Sequence, residues 1–206
     1  MPLVYQQNIN GSARLAIWNI LEDEHFFLQH ITLLSDIRHP HKRLQHLAGR
    51  YILHDLYPEF PLQNIRFSPT NKPFLPGDPL HFSISHCGDY AAAIISESNR
   101  VGIDVELITP KILRVKHKFL TPQEEKLFIG CTAQQAATIA WTAKEAIFKW
   151  YGTGSVDFIK HITTNKVFIK EDQFIVTFHF SKGLQIELEV KGHFMDKLCM
   201  AWVIAP

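Results

Sequence analysis

Two carboxylates in the segment 102–106, Gly-Ile-Asp-Val-Glu, are spaced for metal chemistry. Because side chains in a β-strand alternate between two faces, Asp104 and Glu106 are predicted to lie on the same face and to repel each other. A divalent cation removes that repulsion, and Mg²⁺ is usually held by one or two carboxylates together with substrate phosphates. The alternative is an edge strand whose acidic face is solvated.

A second group of charged residues follows about forty positions later, in the segment 133–151. Its apolar residues recur with a period of 3.6, which predicts an amphipathic helix. Trp141, Glu145 and Lys149 are four residues apart and share one strip of that helix. In a catalytic interpretation Glu145 is a third metal-binding carboxylate, and Lys149 is a cation for a phosphate or a developing charge. The alternative is a surface Glu–Lys pair worth roughly 0.2–0.5 kcal/mol, with Trp141 as packing.

The two motifs, in this order, resemble those of the 4'-phosphopantetheinyl transferase superfamily, G-[IV]-D-[IV]-E followed by W-x-x-K-E-x-x-x-K. Three upstream segments are also similar to family elements: Phe-Ser-Ile-Ser-His-Cys-Gly at 82–88, Lys-Pro at 72–73 and Leu-Ala-Gly-Arg at 47–50. The resemblance covers about residues 43–151. Asn71 and Cys87 depart from the pattern, where Gly and Ser or Thr are usual.

The resemblance is to the larger, surfactin-synthetase-activating type of the family, and it implies an α+β fold. Two similar lobes, 1–100 and 101–206, are expected, each a small antiparallel sheet packed with helices. A pseudo-twofold axis would relate the lobes, with the active site between them. The implied protein is a monomer that uses Mg²⁺ to transfer 4'-phosphopantetheine from coenzyme A to a serine of an apo carrier-protein domain, acyl or peptidyl, releasing 3',5'-ADP.

The resemblance also implies roles for individual residues. Asp104, Glu106 and Glu145 would hold Mg²⁺. Glu145 would also be the base, directly or through a metal-bound water, and Lys149 the second catalytic residue. Five residues are expected to bind coenzyme A: Arg43, Arg50, Lys72, Ser85 and His86. Lys144 is a further candidate for that contact.

Two rival functions use the same residues differently. A metal-dependent phosphohydrolase or nuclease would use the three carboxylates to activate water, acting on coenzyme A or a nucleotide without a carrier protein. A carrier-binding or nucleotide-binding module without catalysis would keep the basic residues but would not need all three carboxylates. The joint presence of the carboxylates disfavours the second rival.

The composition is that of an intracellular globular protein of 206 residues. Its formal charge of +1 gives no electrostatic footprint for bulk nucleic-acid binding. Three scattered cysteines do not form a disulfide framework or a zinc ribbon and fit a reducing compartment. The N-terminus has no signal-peptide pattern, and no apolar run approaches the ~20 residues of a membrane span. We therefore expect a cytoplasmic protein that binds neither nucleic acid nor membrane.

The elements that must position these residues can be predicted from periodicity and turn signals. In the first half they are a strand at 15–21, helices at 23–34 and 41–57, and a three-stranded antiparallel meander at 81–86, 90–96 and 101–107. A helix start is expected at Thr121, with Pro122 and Glu124 completing a capping box. Four further strands are predicted after the helix 133–151, at 166–170, 173–180, 184–190 and 198–204.

Overall fold

The computed structural model describes residues 2–32 and 37–206, and the chain divides into two compact units, Met1–Val101 and Gly102–Pro206. Each unit contains a β-sheet and one long helix, so the predicted α+β class is confirmed. The pseudo-twofold axis stays a prediction. Over the two described ranges, every helix is too short or too polar to cross a lipid bilayer.

The first unit is built on a four-stranded sheet in the order β1-β2-β6-β5, in which neighbouring strands run antiparallel. Its elements are β1 (Leu3–Ile9), β2 (Ala13–Asn19), α1 (Glu24–Leu28), α2 (Pro40–Leu56), β3 (Arg66–Phe67), β4 (Pro73–Phe74), β5 (His81–Cys87) and β6 (Tyr90–Ser96). The core lies where the apolar face of α2, including Leu47, Ile52 and Leu53, covers the sheet.

The second unit contains a five-stranded sheet in the order β7-β11-β10-β9-β8. Its elements are β7 (Arg100–Leu107, which begins in the first unit), α3 (Pro122–Glu125), α4 (Ala133–Tyr151), β8 (Ile162–Lys170), β9 (Gln173–Phe180), β10 (Ile186–Met195) and β11 (Leu198–Ala205). The predicted apolar face of α4 is buried against the sheet, and its alanines let the helix approach β11 and β10 closely.

Helix ends in the second unit follow the predicted capping chemistry. Thr121 is the N-cap of α3, and its side chain and that of Glu124 form the reciprocal bonds of a capping box. The helix α4 ends at Gly152, whose φ of 75° is the left-handed conformation typical of a helix C-terminus. The helix α4 begins after Thr132, which forms a capping box of its own with Gln135.

The predicted meander is wrong in its third strand. The strands β5 and β6 pair as expected, but β7 joins the second sheet beside β11. Both edges of β6 are already occupied, by β2 on one side and β5 on the other, so no edge remains for β7. The segment that carries the acidic motif therefore belongs to the second sheet.

Two further predictions at the N-terminus need correction. The helix expected over 23–34 ends at Leu28, residues 29–32 are not helical, and 33–34 lie outside the described residues. The strand β1 was not predicted, because Gln6, Gln7 and Asn8 obscure the apolar alternation of a half-exposed edge strand. The short strands β3 and β4 were not predicted, β8 begins four residues earlier than predicted, and β10 ends five residues later. The other helices and strands agree with their predicted bounds to within two residues.

Candidate active site

The glycine that opens the acidic motif allows β7 to pass directly against α4. A Cβ atom on Gly102 would lie 1.9 Å from the carbonyl oxygen of Ala146 and 2.7 Å from the amide nitrogen of Trp150. Any side chain there would push the strand away from the helix. The close approach brings Asp104 and Glu106 beside the strip of α4 that carries Glu145.

Each carboxylate of β7 contacts one residue of that strip. Lys149 donates from Nζ to Oδ1 of Asp104 over 2.6 Å, and the indole Nε1–H of Trp141 donates to Oε1 of Glu106 over 3.0 Å. Asp104 is only 4% exposed, so the alternative of a solvated acidic face is wrong. The contact of Lys149 with Asp104 was not predicted, and the proposed role of Lys149 at a phosphate stays a prediction.

Glu145 lies one turn of α4 from Trp141 and one turn from Lys149. Burial raises its pKa to about 7, and the negative charge of Asp104 and, to a smaller extent, that of Glu106 act in the same direction, while Lys149 partly offsets them. A carboxylate with a pKa near neutrality can hold or release a proton at the pH of the cell. The role of Glu145 as a general base stays a prediction.

The three carboxylates fit a hard divalent cation in their chemistry. They are all oxygen donors, and the charges of Asp104 and Glu106 add to burial in raising the pKa of Glu145, an electrostatic cost that such a cation would reduce. Over residues 2–32 and 37–206, no three His, Cys, Asp or Glu side chains have the spacing of an assembled metal centre. Lys149 donates to one oxygen of Asp104, so a positive charge already lies beside that carboxylate.

Lys144, the neighbour of Glu145, lies in the interior of the unit. Its side chain is 0% exposed and donates to Oε1 of Glu124 over 2.8 Å and to the carbonyl of Phe158 over 3.0 Å. The same carboxylate oxygen accepts from the backbone and hydroxyl of Thr164. Lys144 therefore ties α4 to α3 and β8, which counts against the expected contact with coenzyme A.

A basic cluster in the first unit is formed by His46, Arg50 and His86. Burial lowers the pKa of Arg50 to about 10, and no carboxylate of the described residues offsets it. Burial, with the nearby charges of Arg50 and His86, lowers the pKa of His46 to about 4. The Nε2 atom of His46 is buried and has no hydrogen-bond partner among the described residues. A bound anion would offset the positive charge of Arg50.

The close packing of α2 against β5 explains why His86 lies near His46 and Arg50. A Cβ on Gly49 would lie 2.7 Å from Cγ2 of Ile84, so the glycine lets α2 approach β5, the strand that carries His86. His46 was not among the predicted site residues. Its position one helical turn before Arg50 was the sequence feature that could have identified it as a member of the cluster.

The other predicted coenzyme A contacts differ in accessibility. Arg43 forms an ion pair with Glu24 of α1. The pair was not predicted, because Glu24 lies on a different helix and the spacing of residues along α2 gives no sign of it. Ser85 is buried at 4% exposure, whereas His86 is exposed. Of these three residues, His86 is the one most accessible to a ligand.

Lys72 has a second basic residue near it. Burial lowers the pKa of Lys72 to about 8, the positive charge of Arg100 lowers it further, and Asp78 partly offsets both. Arg100 is 28 positions away in the sequence, and no spacing rule connects the two. It is a candidate anion contact that sequence reasoning missed.

A surface groove of about 770 Å³ lies in the second unit. It is lined by residues 155–160 together with His117, Lys118 and Trp141. The indole of Trp141 thus belongs both to the groove and to the contact with Glu106. A ligand in this groove would contact Trp141, whereas Asp104, Glu106 and Glu145 are not among the residues that line it.

The second unit thus contains three carboxylates, on β7 and α4, of the kind that hold a divalent cation, and the first unit contains basic residues of the kind that bind a phosphate. The model of the 4'-phosphopantetheinyl transferase superfamily matches residues 100–203, half of the chain. The chain belongs to this superfamily.

Individual relatives agree with the family match. The chain is 31% identical to 4'-phosphopantetheinyl transferase psf-1 of Bacillus pumilus over 111 residues, 51% of this chain and 47% of that protein. It is 35% identical to 4'-phosphopantetheinyl transferase AcpT of Escherichia coli K12 over 118 residues (54% and 59%), and 29% identical to enterobactin synthase component D of the same strain over 136 residues (64% and 65%). The chain spans between about half and two thirds of the length of these relatives.

Proposed function

We propose that this protein is a Mg²⁺-dependent transferase of the larger, surfactin-synthetase-activating type. It moves the 4'-phosphopantetheine group of coenzyme A to a serine of an apo carrier protein, acyl or peptidyl, and releases 3',5'-ADP. Membership of the superfamily supports this reaction class. The observation that carries the proposal is the contact of α4 with β7, in which Lys149 donates to Asp104 and Trp141 donates to Glu106 on the strip that also carries Glu145.

The residues of β7 and α4 divide the chemistry. Bound Mg²⁺, held by Asp104, Glu106 and Glu145, would neutralise the pyrophosphate of coenzyme A. Glu145 accepts the proton of the serine hydroxyl, directly or through a water, as the serine oxygen bonds to the phosphorus next to the pantetheine. The bond from that phosphorus to the oxygen of the 3',5'-ADP moiety breaks, and Lys149 stabilises the charge that develops there.

The first unit supplies cations for the nucleotide phosphates. Arg50 and His86 both lie near His46, and the charge of Arg50 is not offset by a carboxylate of the described residues, so a phosphate would gain a charge-assisted hydrogen bond from that guanidinium. Lys72 and Arg100 offer a second pair of cations. Arg43 contributes less, because Glu24 already engages its guanidinium.

The test is incubation with coenzyme A, Mg²⁺ and a panel of apo carrier domains, followed by mass spectrometry of the carrier. We expect phosphopantetheine on a carrier serine, 3',5'-ADP in equal amount, and no product when EDTA is present. Free phosphopantetheine formed at the same rate with and without carrier would instead identify a phosphohydrolase. Binding of coenzyme A with neither product would identify a module without catalysis.

Binding of coenzyme A is expected to weaken as the pH rises through about 8. Lys72 must be protonated to attract a phosphate, and its lowered pKa means that it loses its charge in that range. Isothermal titration calorimetry between pH 6.5 and 9.5 should show the fall in wild type. In Lys72→Arg the fall should disappear, because a guanidinium stays charged over this range.

The matched control is Lys170→Arg, the same exchange at the end of β8. It should keep the pH dependence of the wild type. An identical fall in affinity in wild type and Lys72→Arg would show that another group titrates and that Lys72 does not bind the phosphate.

A further inference from the structure

Trp141 is the residue of the α4 strip to which the proposed transfer reaction gives no role. Its indole nevertheless donates a hydrogen bond of 3.0 Å to Oε1 of Glu106, 35 positions earlier in the chain. We infer that Trp141 is a positioning residue, which sets the orientation of the Glu106 carboxylate for a divalent cation. This inference rests on the proposed function.

The indole is held in place before any cation arrives. Its ring contacts the buried Phe119 at a centroid distance of 5.0 Å and Phe158 at 5.6 Å. Aromatic contacts of this kind stabilise a ring in one orientation, and a tryptophan has only two side-chain torsions to fix. The N–H group is therefore a rigid donor. Glu106 has a longer and more flexible side chain, whose ordering would otherwise reduce the affinity for the cation.

The chemistry of the donor matters as much as its position. An indole N–H is a neutral donor and cannot accept a proton or carry a positive charge. It can orient Glu106 without neutralising it, so the carboxylate keeps its full negative charge for the cation. Asp104, by contrast, is held by the charged ammonium of Lys149. Groups that orient a metal ligand in this way typically contribute 10–100-fold to metal affinity.

The test compares two tryptophans of α4 in the full-length protein. Trp141→Phe keeps an aromatic ring and removes the N–H. Trp150→Phe removes an indole N–H that donates to the backbone carbonyl of Ala205, so it should lower the melting temperature without changing the carboxylates. Binding of Mn²⁺, without coenzyme A, is measured by electron paramagnetic resonance. We expect about 10-fold weaker binding in Trp141→Phe and wild-type affinity in Trp150→Phe.

A double-mutant cycle separates positioning from packing. In a Glu106→Gln background, Trp141→Phe should cause no further loss of Mn²⁺ affinity, because the carboxylate it orients is absent. Affinity of Trp141→Phe within twofold of wild type, or an equal loss in both backgrounds, would overturn the inference and leave the proposed function intact. Failure of the wild type to bind Mn²⁺ at millimolar concentration would overturn both.

Discussion

Replacement of Glu145 by glutamine is expected to lower phosphopantetheine transfer at least ~100-fold and, without metal, to stabilise the fold above pH 7. The activity falls because glutamine cannot accept the serine proton, a function that contributes typically 10²–10⁴-fold. The stability rises because the wild-type protein must hold a negative charge at a buried position, next to the charges of Asp104 and Glu106. Turnover should fall more than affinity for coenzyme A, since the basic residues are unchanged.

The gain in stability should follow the titration of Glu145. Its pKa rises from 4.5 to about 7 on folding, so between these values the folded protein keeps a proton that the unfolded chain has lost. The wild type therefore loses stability, relative to the variant, as the pH rises through this window. The difference should be near zero at pH 4.5 and reach up to about 3 kcal/mol above pH 7.

Chemical denaturation in EDTA at pH 5 and pH 8 measures this difference, and a carrier-modification assay measures turnover. Glu125→Gln is the matched control, because it neutralises a carboxylate that pairs with Lys116 outside the strip. It should keep wild-type transfer and show no gain in stability at pH 8. A Glu145→Gln variant that is less stable than wild type at pH 8 would mean that the carboxylate is structural.

Replacement of Lys144 by methionine is expected to cost about 3–5 kcal/mol of the free energy of unfolding. The substitution leaves Glu124 buried without its cation, although Thr121 and Thr164 still donate to it. Removal of one partner of a buried ion pair is costly because the remaining charge has lost its water and its counter-charge. Urea denaturation at pH 7 measures the loss.

The neighbouring pair Lys116–Glu125 provides the control. Its side chains are about one-third exposed, so Lys116→Met should cost less than about 1 kcal/mol. Replacing Glu124 by glutamine in the Lys144→Met protein removes the unpaired charge and keeps an oxygen for Thr164, so it should restore part of the stability lost in the single variant. Transfer per folded Lys144→Met molecule should stay close to wild type. A selective loss of coenzyme A affinity would instead place Lys144 at the ligand.

Much of the local structure could be predicted because its causes are local. The period of the apolar residues in α4 and the capping residues at Thr121 act over a few positions, and the structure confirms both. The strand β7 was also predicted, but its neighbour was not. Pairing depends on which sheet edge is unoccupied, and the occupation of both edges of β6 by β2 and β5 is a non-local property.

The candidate site also has features that the sequence could predict and features that depend on the tertiary structure. Residue types and spacing were enough to identify the carboxylates at 104, 106 and 145 and to indicate the family, because a motif is a pattern along the chain. The contacts of Lys149 with Asp104 and of Trp141 with Glu106 depend on how closely β7 approaches α4. The two lysines of α4 have different environments, since Lys144 faces the core and Lys149 faces the acidic strand. Burial and the distance between charges arise only when distant segments pack, and they determine which ionisable groups support the fold and which can act on a ligand.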